Sequence, residues 1–590
     1  MPVAERIRLV VGLLSVIAAI FCLVELTLYF GFDRTAAEAS SPKQLLRIPQ
    51  VIFLLNIIAG ILFSFRPAML NAKILKWIVD GALIISILTW IYPHPEYPWI
   101  PLLERVLYSD TFLFSVLTAY SILEICQAAI RLINRRTNPA LILSGSFLIF
   151  IIIGSFMLML PNCTTTPISY CDSLFLSTSA VCITGLTPID LPTTLTPMGL
   201  LIVALMIQVG GLGVITFTSF FALFFSGVPS IYSQLMIKDM VYSKSINNLV
   251  PTILYILLFT LTVEAVGAAF VYLTIPPTLG MNISDKLIFS AFHSLSSFCN
   301  AGFSCLPAGM SNAALINGNQ SIYIVTSVLI FAGGIGFPIL VNFKDIFNRW
   351  LRKRFTGKTT SANRLTHPYD LNTRLVLVTT LVILAVGSIG FFVLEYNNTL
   401  AGMSLSEKTV QSIFNALTPR SAGFVSVDPS AFLPATMLLV IIQMWIGASS
   451  QSLGGGIKVN TLAAIMLNVK AVVRGNKSPS AFGRSIASGS IRRAYAVLTL
   501  ALVCFAVYSF ALLIIEPDLS TKDILFEVTS AMFTVGSSLG VTDKLSDLSL
   551  IILSTAMFIG RVGILSMLAG FAAGSFDRSR YYPTDSLIIS

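Results

Sequence analysis

Charge is what this chain has least of: only 11% of its 590 residues are Asp, Glu, Lys or Arg, whereas 55% are apolar. That ratio excludes a soluble domain, which needs about a quarter of its residues charged. Histidine is scarcer still. His94, His293 and His367 are the whole supply, and none pairs at i, i+4 on an apolar run, so haem and metal redox chemistry lack a ligand set. No Asp/His/Ser or Cys/His grouping falls on a span, and the chain is not read as an enzyme. No loop on the basic side exceeds about 35 residues, too few for a nucleotide-binding domain, which argues against ATP coupling within the chain. Eight cysteines are scattered. Cys163 and Cys171 share a loop, where a disulfide and two free thiols stand as alternatives.

What the chain has instead is long apolar runs, and many of about 20 residues match a hydrocarbon layer of about 30 Å. They define an all-α polytopic membrane protein. The first run, Ile7 to Phe30, is too long for a signal peptide, lacks a small-x-small cleavage pattern and precedes many more spans, so it reads as a retained helix. Spans at 8–30, 49–65, 74–92 and 112–133 make an accessory four-helix block, residues 1–138, closed by Arg131, Arg135 and Arg136. Glu25, Asp80 and Glu124 lie inside these runs and read as packing partners rather than a proton path. The net charge of +10 sits in loops between spans, which argues for membrane orientation and against nucleic acid.

Beyond residue 138 one pattern recurs four times. Stretches beginning at Asp172, Asp285, Glu407 and Asp523 each run about three turns of apolar and Ser/Thr residues, then break at Gly185, Gly302, Gly423 and Gly536. These glycines are 117, 121 and 113 residues apart, so one unit is written four times. The units are 139–230, 231–350, 351–480 and 481–590. Each is expected as span, short re-entrant stretch, span, with first spans at 141–160, 250–275, 374–395 and 493–515. The second spans are expected at 197–224, 321–341, 434–468 and 549–573. The segment Lys344 to Arg374 has eight Lys/Arg against two Asp, and 161–196 has none. Linkers between units and both termini are therefore expected in the cytoplasm, with the re-entrant stretches entering from outside. Arg34, Lys43, Arg47 and Arg105 fall on the outer side and fit less well.

Polar backbone inside a membrane is tolerable only where it lines water or is buried in protein. A cation leaving water needs oxygens in place of its hydration shell, and a ring of carbonyls supplies them without a fixed charge. Turning carbonyls inward takes dihedrals that glycine adopts freely. The candidate ring is Ile183-Thr184-Gly185, Asn300-Ala301-Gly302, Ser421-Ala422-Gly423 and Thr534-Val535-Gly536. Asp190, Asp428 and Asp543 follow as outer-mouth acids that would concentrate cations, with ordinary solvated loop charges as the alternative. Glu264 and Glu395 read as packing or capping acids rather than coupling groups.

The second spans carry Gly210-GLG, Gly333-GIG, Gly455-GIK and Gly560-RVG, where glycine permits close helix contact. The departures from that pattern are Arg561 in the fourth unit and a polar break in the third. The break comprises Gly447, Ala448, Ser449, Ser450, Gln451, Ser452, Gly454, Gly455 and Gly456, with Lys458 after it. It is expected to lie across the path beneath the ring as a gate, with Arg561 as its latch and a local barrier; a break used only for packing is the alternative.

The pieces CITGL, NAGFS, PRSAGF with its following Asp, TVGSSLG, the break ending GGGIK, and GRVG together make the stretch from about 140 to 575 resemble the Trk/Ktr/HKT superfamily of potassium transporters, and within it the bacterial TrkH type. That resemblance implies a potassium-translocating subunit of a bacterial inner membrane, with four M1-P-M2 units around one pore per protomer. It implies a homodimer gated by a cytosolic ring of nucleotide-binding RCK subunits of the TrkA or KtrA type, with nucleotide bound only by that partner and potassium as cargo. The break in the third unit is the gate in such proteins, with the counterpart of Arg561 beside it. Glycine at all four ring positions looks like the potassium-selective members, while serine in the first marks sodium-favouring plant relatives. The four N-terminal spans exceed the usual pattern of the shorter bacterial members.

Overall fold

The computed structural model describes residues 3–32, 40–63, 74–92, 105–133, 139–213, 249–318, 320–356, 371–476 and 478–563. Both chain ends, Arg34, His94, Arg135, Arg136, His367, residues 357–370 of the basic linker, and the distal parts of the spans expected at 197–224 and 549–573 lie outside these residues.

The first block is α1 (Val3–Gly31), α2 (Arg47–Phe63), α3 (Ile74–Ile91) and α4 (Asp110–Ile133). These bounds fall within a few residues of the expected spans. Ala18, Cys22, Phe53, Leu83 and Leu117 form its core. Within it Asn56 Nδ2 donates to Glu124 at 2.9 Å and Gln50 Nε2 to Ser86 Oγ at 2.8 Å, so polar groups here tie helix to helix. Two of the four basic residues that fit the expected topology less well have partners. Lys43 pairs with Asp110 at 2.6 Å, and the Arg47 guanidinium lies 5.2 Å from the Trp90 ring centre. The block joins the rest where Asn162 Nδ2 donates to Phe30 O at 3.1 Å.

The remainder runs α5 (Pro139–Leu158), α6 (Tyr170–Cys182), α7 (Pro197–Leu212), α8 (Leu249–Thr274), α9 (Ile283–Phe298), α10 (Ser321–Gly334) and α11 (Phe337–Thr356). It continues through α12 (Leu371–Glu395), α13 (Leu405–Leu417), α14 (Pro434–Trp445), α15 (Val459–Val473), α16 (Ser488–Ile515), α17 (Thr521–Met532) and α18 (Asp547–Val562). Among the described residues six helices are long and apolar enough to cross a membrane singly. Their outward faces carry bare apolar side chains, such as Leu273 at 74% and Phe510 at 68% exposure, which a bilayer solvates and water does not. The protein is a multi-pass, mostly helical membrane protein.

Helices α6, α9, α13 and α17 have 13, 16, 13 and 12 residues. At 1.5 Å per residue they reach roughly 18–24 Å and cannot cross. The acids noted in the sequence open them. Ser169 Oγ accepts from Asp172 N, Ser520 Oγ from Asp523 N, and Ser404 with Glu407 forms a reciprocal capping box. The Ser404 hydrogen bonds hold the exposed Glu407 carboxyl below its ordinary range. In the first, second and fourth units the end of the short helix packs against the glycine-bearing end of the helix that follows. A Cβ at Gly210, Gly333 or Gly560 would overlap the carbonyl oxygen of Val181, Phe298 or Met532, in each case four residues before the ring glycine. The repeated Gly pairs therefore serve close approach.

One expected span is corrected. Residues 321–341 do not form a straight helix: α10 stops at Gly334, and the chain turns by 94° into α11. Gly336 makes the turn at φ +96°, with Ser449 and Ser450 packed against it. The polar break between α14 and α15 packs into the bend.

Candidate functional site

The four ring segments share one unusual backbone. Ile183, Asn300, Ser421 and Thr534 have φ of 56°, 59°, 66° and 49°, and Gly185, Gly302, Gly423 and Gly536 have 98°, 75°, 71° and 100°. The residue between them is not left-handed in any unit. Switching hand at alternate residues sends successive N–H groups to one side and carbonyls to the other. The N–H groups go back to the short helices: Thr184 N donates to Ser179 O, Ala301 N to Ser296 O, Ala422 N to Thr418 O and Val535 N to Ser530 O, at 2.7–2.9 Å. The carbonyl of each middle residue lies against the glycine of a neighbouring segment. A Cβ on Gly185 would crowd Ala301 O, one on Gly302 would crowd Ala422 O, one on Gly423 Val535 O, and one on Gly536 Thr184 O. The contacts run from first unit to second, third, fourth and back to first. The cycle closes.

The ring opens into a vestibule of about 260 Å³ lined by Gly185, Gly302, Gly423, Phe303 and Asp190, among others. Of the three outer acids, Asp190 reaches this lining and accepts from Thr193 Oγ1 at 2.7 Å. Asp428 is exposed and accepts from Ser430 N at 2.9 Å, and Asp543 is exposed in the turn Thr542–Lys544; neither lines the vestibule.

On the other side lies the break between α14 and α15. It folds on itself through the Ile446–Ile457 bridge, with Gly447 N donating to Ile457 O at 3.0 Å and Ala448 N to Gly455 O at 3.2 Å. It is then bonded to the second, third and fourth units, and Arg561 links it onward to the first. Ser449 N and Leu453 N donate to Gly334 O and Gly333 O at 3.0 and 3.2 Å, and Phe337 N donates to Gln451 O at 3.1 Å. Arg561 donates to Leu453 O at 2.5 Å and to Gly210 O at 2.7 Å. Lys458 Nζ donates to Gly454 O at 2.6 Å. Gly455 N donates to Ser421 Oγ at 2.6 Å. Gly454 and Gly455 lie so close beneath the ring that a Cβ would meet Asn300 and Ser421 from the first, and Thr534 from the second. The break and the ring thus lie against each other through Gly454, Gly455, Asn300, Ser421 and Thr534.

The family described as "TrkH: Cation transport protein" matches residues 114–578. This chain belongs to the TrkH family. It is 34% identical over 448 residues to the Ktr system potassium uptake protein B of Bacillus subtilis, covering 76% of this chain and 96% of that protein. It is 29% identical over 467 residues to the potassium/sodium uptake protein NtpJ of Enterococcus hirae, covering 78% and 98%. Its fold matches the crystal structure of the potassium transporter TrkH from Vibrio parahaemolyticus with TM-score 0.57 at 18% identity, over 84% of this chain and 98% of that one. The TrkH-family match begins inside α4, so α1 to α3 lie outside it. Membership makes the chain a transport protein and not an enzyme.

Two contributors escaped the sequence reading. Arg420 is buried behind the third ring segment and donates from Nη2 to Gly447 O at 3.3 Å, at the root of the break. Ser421 was picked for its backbone, yet its hydroxyl also donates to Thr534 O at 2.8 Å. PRSAGF displays both residues, but only the tertiary path of the break gives them partners. Glu395 acts as a cap, accepting from Leu433 N at 3.0 Å and Thr399 Oγ1 at 2.8 Å. Gln208 Nε2 reaches Glu264 at 3.3 Å. Cys163 and Cys171 are both free thiols.

Proposed function

We propose that this chain is the potassium-translocating subunit of a Trk/Ktr-type uptake system in a bacterial inner membrane. Four M1-P-M2 units surround one pore, with both termini in the cytoplasm. The observation that carries this reading is the closed cycle of four glycine–carbonyl contacts, because a ring of main-chain oxygens replaces a hydration shell without fixing the ion by charge. The three residues of each ring segment form the selectivity filter, residues 447–456 are the gate, and Arg561 is its latch. Asp190 concentrates cations in the vestibule. The gate is released by a cytosolic RCK-type nucleotide-binding partner acting on a homodimer, in keeping with relatives named as components of a Ktr system.

Flux into liposomes with K⁺, Rb⁺ and Na⁺ gradients, with and without the partner ring, tests this reading. Gly185→Ser is expected to lower the K⁺/Na⁺ ratio by about tenfold, equivalent to ~1.4 kcal/mol. An unchanged ratio removes Gly185 from the filter. A sodium-permeable member is the second reading, favoured by the likeness to a potassium/sodium uptake protein, and equal Na⁺ and K⁺ flux in the unaltered chain would establish it. Arg561→Ala removes two charge-assisted hydrogen bonds worth about 1.5–3 kcal/mol each. Partner-free flux is expected to rise at least roughly tenfold. A well-folded, silent variant would reduce Arg561 to a structural role.

A further inference from the structure

We propose that the Ser421 hydroxyl couples the gate to the innermost ion site, making potassium and the closed loop competitors for one oxygen. The inference rests on the filter and gate reading above. Ser421 occupies the innermost position of the third ring segment. Its Oγ accepts from Gly455 N at 2.6 Å and donates to Thr534 O at 2.8 Å, the carbonyl at the equivalent position of the fourth segment. Both ends of this bridge are buried. In the closed protein the serine oxygen is therefore turned toward a loop N–H, and its proton is spent on a ring carbonyl. Two potential ion ligands are engaged at once, and the positive end of the Gly455 N–H dipole stands where a cation would approach.

The other units do not repeat the device. At the same position the first has Ile183, with no hydroxyl, and the second has Asn300, against whose amide Gly454 packs. Thr534 supplies its carbonyl to Ser421, and its hydroxyl lies 3.5 Å from Ser421 Oγ. Withdrawal of Gly455 frees Ser421 Oγ to rotate and join the ion's ligands. Linkage then runs both ways: a retracted loop strengthens the inner site, and an ion in that site disfavours loop closure by the same factor. Ser421 is thus a positioning residue for the gate as well as part of the filter.

The test uses the full chain without its partner. Ser421→Ala should raise Rb⁺ flux into liposomes by roughly two- to tenfold, the span expected for one hydrogen bond. Ser421→Thr, which keeps a hydroxyl, should stay below the alanine variant. Hydrogen exchange of the peptide spanning residues 446–458, in KCl against choline chloride, gives a readout independent of transport. Potassium should speed exchange there in the unaltered chain and lose that effect in Ser421→Ala. Flux equal to the unaltered chain in Ser421→Ala, or loop exchange that ignores potassium in the unaltered chain, overturns the coupling. If the alanine variant does not fold, the exchange of the unaltered chain alone decides. A Gly185→Ser variant with an unchanged K⁺/Na⁺ ratio strikes at the filter instead, so the two failures are distinguishable.

Discussion

Gly536→Ala is expected to cut potassium flux by on the order of 100-fold, equivalent to ~2.7 kcal/mol, while leaving the protein folded and in the membrane. Two independent costs meet at this position. Its φ of 100° lies where an L residue is strained. Its added Cβ would overlap Thr184 O, the carbonyl that closes the cycle back to the first unit. The strain cannot be relieved by local movement, because Gly536 N is held by Ser530 Oγ at 3.0 Å and Val535 N by Ser530 O at 2.8 Å. The methyl group therefore pushes Thr184 O out of the ring, and the ion loses a ligand from one unit because of a change in another. Gly540→Ala is the control: its φ of 76° is also left-handed, but nothing lies within 4 Å of the added carbon. Flux in Gly540→Ala should stay within about threefold of the unaltered chain, a difference of ~0.6 kcal/mol. Equal losses in the two variants would mean that backbone strain, and not ring geometry, limits conduction.

The sequence disclosed most of this because the ring is built from backbone, and backbone that must turn its carbonyls demands glycine at fixed places. The spacing of Gly185, Gly302, Gly423 and Gly536 was legible for that reason, as were the apolar runs of the spans. The acids in the first turn of each short helix were legible as markers, and in three units the N-cap serines Ser169, Ser404 and Ser520 show how that turn is capped. The bend at Gly336 was not legible. Gly333-GIG reads like Gly210-GLG and Gly560-RVG, and the last glycine of each is left-handed at the end of its helix, with φ of 77° at Gly213, 96° at Gly336 and 88° at Gly563. Those glycines read as close-contact residues, and the 94° between α10 and α11 is not written in them. Its partners, Ser449 and Ser450 against Gly336 and Gln451 O accepting from Phe337 N, lie more than a hundred residues away. Arg420 and the Ser421 hydroxyl were hidden likewise. Side chains that act through tertiary partners leave no period in the sequence.

Deleting Gly447 to Leu453 is expected to raise partner-free potassium flux by on the order of 100-fold, because several hydrogen bonds of about 1 kcal/mol each go at once. Those lost join Ser449 N to Gly334 O, Leu453 N to Gly333 O, Phe337 N to Gln451 O and Arg561 to Leu453 O. Ile446 and Ile457 pair in a parallel bridge at the neck of the loop, so the remaining Gly454, Gly455 and Gly456 must turn the chain back on itself, a demand that only glycine's conformational freedom can meet. The ring is untouched, and the K⁺/Na⁺ ratio should stay near that of the unaltered chain. Flux no higher than in the unaltered chain, from a monodisperse and thermally stable variant, would reject the break as the gate. Arg561 sharpens the test further. In the deletion it loses Leu453 O and keeps only Gly210 O, leaving a less compensated positive charge beside the path. Adding Arg561→Ala to the deletion should therefore raise flux again, by a charge effect distinct from the latch. A double variant no faster than the deletion alone would mean that Arg561 only fastens the loop and does not itself repel the passing ion.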